Sequence, residues 1–299
     1  MEKNLIVVQG PTGVGKTEAS IKLAEHFGIP ILNADSRQIF VEIPIGTAAP
    51  TTEQQQRAKH FFVGNKHITE YYNASMFEKD VTSMLSRLFQ TYDYAMLSGG
   101  SMMYIDAVCD GIDDIPTVDE NTRAWMKHRL EKEGLQSLVD ELKKLDYEHW
   151  LYVDKNNPRR VVHALEICHA TGRTYTSFRK KAFKQRPFNI IKIGLEKPRE
   201  QLYDNINSRV MKMIDNGLIE EARNMLPYRN LNALNTVGYK ELFSYFDGTN
   251  PLDEAVRQIQ SNTRRYCRKQ QTWLKKDQRI QWFAPENIKE IINYICSTK

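Results

Sequence analysis

The segment Gly10-Pro11-Thr12-Gly13-Val14-Gly15-Lys16-Thr17 matches the pattern G-x-x-x-x-G-K-S/T at every fixed position. An apolar run at residues 5–8 precedes it and reads as a buried strand. Residues 18–27 follow, with Ala19, Ile21, Leu23, Ala24 and Phe27 at helical spacing. Strand, glycine-rich turn and helix together make a cradle for an anion. The glycines let backbone N–H groups turn inward, and the helix N-terminus adds partial positive charge. Lys16 is expected to reach the terminal phosphates and the Thr17 hydroxyl to hold a magnesium ion, Mg2+. Alone, the motif points by default to a nucleoside triphosphate, and so to ATP-binding.

The remaining pattern extends this unit into a sheet. Residues 31–34 read as a second strand that runs straight into Asp35-Ser36-Arg37-Gln38. In a parallel sheet the position just past a strand lines the ligand crevice, although Asp35 or Ser36 would serve equally as the cap of a turn. Residues 52–59 read as a polar helix, 61–63 as a short strand, 74–89 as a helix and 94–98 as the third core strand. Gly99-Gly100-Ser101 and a further helix follow. The third core strand lacks the aspartate that phosphate-loop hydrolases place at its end; the nearest acid, Asp93, precedes it. Residues 119–133, 135–145 and 158–171 read as helices, and 188–195 returns to strand. The expected fold class is α/β: a P-loop NTPase-like parallel sheet flanked by helices, built from 1–115 and 188–299. Residues 116–187 form an all-helical insertion domain.

Composition narrows the partners. Apolar residues make up 41% and charged residues 26% of the 299, ordinary for a globular protein. No apolar run approaches the roughly 18 residues of a membrane span, and no leader segment is read, so the expectation is a cytoplasmic protein without membrane contact. Cys109, Cys168, Cys267 and Cys296 are scattered, which favours neither disulfides nor zinc. The net charge of +5 is mild, but eight basic side chains fall between residues 257 and 279 against one acid, Asp277. Such a run is either a solvated face or the footprint of a polyanion. Ile259, Tyr266 and Trp273 recur every seven residues and predict a seam facing a core.

These parts fit two chemistries. In a small-molecule kinase, Asp35 would accept a proton from a hydroxyl while the loop holds ATP. In a transferase that uses a diphosphate ester, the loop would hold the leaving group, and the basic helix would suit a nucleic-acid acceptor. An RNA-binding ATPase is a third reading.

Six further motifs occur in order. They are Asn33-Ala34-Asp35-Ser36-Arg37-Gln38, Ile45-Gly46-Thr47-Ala48-Ala49-Pro50, Gly99-Gly100-Ser101, Asn157-Pro158-Arg159-Arg160, Val237-Gly238-Tyr239, and the run from Thr263-Arg264-Arg265-Tyr266 to Thr272-Trp273. With the phosphate loop they make the chain resemble the tRNA dimethylallyltransferase (tRNA isopentenyltransferase) family over nearly its whole length. The resemblance implies transfer of a dimethylallyl group from dimethylallyl diphosphate to N6 of the adenosine at position 37, just 3′ of the anticodon, in tRNAs that read codons beginning with U. It implies that residues 12–17 bind the diphosphate with Thr17 near Mg2+, that Asp35 is the base, and that Arg209 steadies the pyrophosphate. It also implies contacts to the tRNA anticodon stem-loop from Asp35, Ser36, Arg37, Gln38, Ser101, Arg123, Arg159, Arg160, Val161, Val162 and His163. Further contacts are implied from Asn235, Thr236, Val237, Gly238, Tyr239 and Lys240, and from Arg264, Arg268, Lys269, Gln270, Gln271, Thr272, Trp273, Leu274 and Lys275. A monomer is expected. Without the resemblance, Arg209 would read as a surface residue of an amphipathic helix. Three positions depart from the family pattern: Ala49 where lysine is common, Met102 beside Ser101, and Gly64 where an acid is usual.

Overall fold

Six parallel strands form one sheet in the order β3-β2-β4-β1-β5-β6. They are β1 (Asn4–Gln9), β2 (Ile31–Asn33), β3 (His60–Phe61), β4 (Tyr94–Gly99), β5 (Asn189–Leu195) and β6 (Gln281–Phe283). The computed structural model describes residues 2–180 and 183–298. Residues up to 110 together with 185 onward make one compact unit, and 111–184 make a second. The sequence pattern places the second at 116–187.

Every residue of β1 is buried. That is why the strand reads as an unbroken apolar run rather than an alternating one: helices cover both faces of a parallel sheet. Ile6 and Val8 pack with Ile21, Leu23 and Ala24 of the helix Lys16–Phe27 on one face. The helix Ile288–Ser297, which the sequence reading did not place, adds Ile291 and Ile295 to that layer. On the opposite face the sheet carries a charge. Lys192 in β5 is only 2% exposed and pairs with Asp277, with Asp110 3.8 Å away. Arg279 joins Asp110 to Asp277, and Trp273 Nε1 donates to Asp106 at 2.9 Å. This network ties the end of the helix Leu252–Leu274 to the helix Met102–Asp110.

The seven-residue seam is a correction. On the helix Leu252–Leu274 the buried residues are Ala255, Ile259, Cys267, Gln270 and Leu274, whereas Tyr266 and Trp273 are 39% and 43% exposed. Both share the angular sector of Ala255 and Ile259, but what lies opposite that sector changes along the helix. Tyr266 borders the open cleft, its hydroxyl donating to Gly100 O at 3.4 Å, and Trp273 lies near the helix end.

The second unit is helical among its described residues. Its long helix Glu120–Leu145 is broken at Gly134, where φ is 80 and ψ 166, so the two helices expected on either side of that glycine are there. Met126, Leu138, Leu142, Val161 and Leu165 form its core with the helix Pro158–Thr171. Buried Asp146 accepts from His149 N, Thr176 N and Thr176 Oγ1, so its carboxylate is hydrogen-bonded rather than stranded.

Candidate active site

Gly13 and Gly15 have φ values of 83 and 102, a left-handed backbone that side chains rarely adopt. This curl starts the helix Lys16–Phe27 directly after the loop, with no side-chain cap on its first N–H groups. Those groups are the donors an anion would take. Lys16 folds back, its Nζ donating to the carbonyls of Gly10 and Pro11 at 2.9 Å each. Burial, with Arg209 second, holds its ammonium down to about 8, while Asp35 and Cys267 pull the other way. The buried amide of Gln270 joins the loop to the end of β4: Thr12 N donates to Oε1, and Nε2 donates to Gly100 O, both at 2.8 Å. Where hydrolases carry an aspartate, Ser98 Oγ lies 2.7 Å from Ser20 Oγ.

Asp35 leaves β2 in a tight turn. Its Oδ1 accepts from Arg37 N at 2.9 Å and Gln38 N at 3.3 Å, so one oxygen is committed to the turn. The carboxylate lines the cleft beside Lys16 and Arg209. Ser101 Oγ accepts from Ser36 N at 2.8 Å and donates to Ser36 Oγ. That hydroxyl is kept although Met102 follows it.

Arg209 is no surface residue. It projects from the helix Arg199–Asp215 into the cleft, where burial lowers its pKa and Asp35 partly offsets the shift. Its Nη2 faces Thr47 O at 3.5 Å, and Gln38 Nε2 donates to Thr47 O and Ala48 O at 3.0 Å. The segment offering these carbonyls is held by Glu221, which accepts from Ile45 N at 2.8 Å, Gly46 N at 2.7 Å and Tyr239 Oη at 2.6 Å. Only glycine fits at position 46, because a Cβ there would collide with the Tyr239 ring. Glu221→Ala would leave two backbone donors and a phenol without their acceptor. The expected loss is about 3 kcal/mol of stability in urea unfolding, with Glu221→Gln losing less.

One cleft of about 970 Å3 collects these groups. Thr12, Gly13, Gly15, Lys16, Thr17, Asp35, Ser36, Arg37, Gln38, Ser101 and Arg209 line it, as do Asn235, Thr236, Val237, Gly238, Lys240, Lys269 and Gln270. Gly10, Pro11 and Val14 are buried behind the loop. Arg264, Arg268, Gln271, Thr272, Trp273 and Lys275 lie on the same helix or just past it, outside the cleft. Arg123, Arg159, Arg160, Val162 and His163 belong to the helical unit. The side chains of Val161, Tyr239 and Leu274 are corrections: all three are buried and pack the core rather than face solvent.

The matching family model is "IPP transferase", over residues 38–277. The tRNA dimethylallyltransferase 1 of Bacteroides fragilis is 55% identical over 293 residues, covering 98% of this chain and 97% of that protein. The chain belongs to the IPP transferase family. The full-length tRNA isopentenylpyrophosphate transferase of Bacillus halodurans superposes with a TM-score of 0.72 at 32% identity, covering 99% of this chain and 96% of that one. A eukaryotic dimethylallyltransferase acting on tRNA shares the fold, with a TM-score of 0.74 at 22% identity over 91% of this chain and 70% of its own.

Three side chains of this IPP transferase escaped the sequence reading. Glu221, Glu241 and Asn262 fall in no motif, so the sequence gives them no role. Glu241 accepts from Gly238 N at 2.9 Å and from Asn262 Nδ2 at 2.7 Å, which fixes the loop 235–238 at the cleft wall.

Proposed function

We propose that this IPP transferase moves a dimethylallyl group from dimethylallyl diphosphate to N6 of adenosine 37 in the anticodon stem-loop of tRNAs reading codons that begin with U. The observation that carries this reading is the convergence of Lys16, Arg209 and Asp35 on one cleft: two cations for a diphosphate, beside one carboxylate for a proton. The N6 lone pair attacks C1 of the dimethylallyl group, and the C1–O bond breaks with its electron pair leaving on diphosphate. The N6 proton passes to Asp35. The base is needed because the exocyclic lone pair is delocalised into the purine ring. Lys16, Arg209 and the N–H groups of the loop stabilise charge that grows on the departing oxygens.

Thr17 is the protein ligand this reading gives to Mg2+. Its hydroxyl lines the cleft, and no cluster of three acidic, histidine or cysteine side chains is arranged for a metal among the described residues. That donor set suits an ion held chiefly by diphosphate oxygens and water. Bound there, the ion would neutralise part of the leaving-group charge. On this reading the enzyme works in the cytoplasm as a monomer.

The test is incubation with labelled dimethylallyl diphosphate and total tRNA, then digestion to nucleosides. Label is expected in N6-dimethylallyladenosine. Label that stays in the diphosphate ester overturns the reading.

A further inference from the structure

Arg199, Arg264 and Arg268 come from two helices and gather on one phenol. Arg199 Nε and Arg268 Nη1 each donate to Tyr203 Oη at 2.9 Å. The guanidinium carbons of Arg199 and Arg264 lie 5.1 and 5.8 Å from the centroid of the Tyr203 ring, and Arg264 Nη1 donates to Asn207 Oδ1 at 2.6 Å. Among the described residues none of the three arginines makes an ion pair with a carboxylate. Elsewhere in the chain Arg57, Arg129, Arg229 and Arg279 each meet an acid between 2.6 and 3.0 Å.

Three guanidinium groups held around one neutral ring repel one another, and an anion relieves that repulsion. Arg199 and Arg268 are exposed, so their remaining N–H groups can fork onto phosphate oxygens. Tyr203 Oη accepts two hydrogen bonds and keeps its own proton to donate. The helix that carries Arg199 and Tyr203 packs against the phosphate loop. Asn205, on the same helix, donates to Gly13 O at 2.9 Å, and an atom added at Gly13 would touch Ile206 and Leu202. Yet none of the four residues lines the cleft. A phosphate held here is therefore separate from a diphosphate held by the loop. An open surface with three forked cations matches a backbone phosphodiester better than a small ligand, which needs enclosure.

We propose that Arg199, Tyr203, Arg264 and Arg268 form one anion site beside the phosphate loop that holds a backbone phosphate of the RNA substrate. The proposal rests on the tRNA reading above and brings Arg199 and Tyr203, to which the sequence assigned no role, into the RNA interface.

The test measures tRNA binding across a salt series for Arg199→Ala, Arg268→Ala, the double variant and Tyr203→Phe, alongside KM for dimethylallyl diphosphate. The double variant should lose about one unit of the log–log salt slope, and neither single variant more than that, since one phosphate contact is at stake. Tyr203→Phe keeps every charge, so its affinity should fall about threefold with the slope unchanged. A double variant with wild-type affinity and slope overturns the proposal. So does one that raises KM for the diphosphate while binding tRNA normally, because the anion is then the small substrate. Wild-type label transfer reports on the function separately: normal transfer with unaltered variants sinks only the anion site, and a wild type that does not bind tRNA sinks both.

Discussion

Asp35→Asn is expected to cut turnover about 10²–10⁴-fold, the usual contribution of a positioned general base, which is roughly 3–5 kcal/mol of barrier. Asparagine is the informative replacement. Its Oδ1 can still accept from Arg37 N and Gln38 N, so the turn after β2 and the Ser36–Ser101 pair should survive. What disappears is the charge that takes the N6 proton and faces Lys16 and Arg209. Affinity for tRNA should stay within a few fold, and the loss should appear in single-turnover rates. Transfer by this variant at the wild-type rate would remove Asp35 from the mechanism.

The second large effect concerns Lys16. Lys16→Met should lower kcat/KM for the diphosphate substrate about 10²–10³-fold, in the range found when one charge-stabilising donor is removed. The wild type carries a pH signature of the same group. With its pKa held down to about 8 in the free protein, Lys16 loses its charge as pH rises through 8, so kcat/KM for the diphosphate should fall there. Stability moves the other way. The unfolded chain keeps the proton up to the ordinary lysine value of 10.5, so between about pH 8 and 10.5 the unfolded state binds more protons and stability rises with pH. In Lys16→Met both trends should vanish from that window. A wild-type profile that stays flat from pH 7 to 9.5 would contradict the enclosed, depressed ammonium.

Glycine-rich loop, apolar strands and amphipathic helices were legible in the sequence because each is a local pattern. β1, β2 and β4 are buried on both faces and read as mostly apolar runs, β5 reads the same way apart from its buried Lys192, and β3 and β6 are short edge strands. The helix Pro158–Thr171 begins on a proline and stops at Gly172, which takes the left-handed conformation. The absence of an acid at the end of β4 was equally visible, since Ser98 is a matter of residue identity. Periodicity reports which side of a helix a residue is on, not what faces that side. Tyr266 and Trp273 look like core on a seven-residue count, yet Tyr266 meets the open cleft and Trp273 the helix end, leaving them 39% and 43% exposed.

Long-range partners decided the rest. Asp35, Lys16 and Arg209 are singled out by motifs and resemblance, yet only the crossing of the helix Arg199–Asp215 over the phosphate loop turns Arg209 from an apparent surface cation into one enclosed beside a lysine. Glu221 is one acid among many in the chain, and it becomes the anchor of residues 45–46 because Tyr239 and that segment converge on it from 18 and 175 positions away. The Arg199–Tyr203–Arg268 cluster likewise joins residues 65 apart. Residue types and local spacing determine which groups can bind phosphate or carry a proton. The tertiary packing determines which of them share one desolvated space, where charge interactions are strong enough to matter.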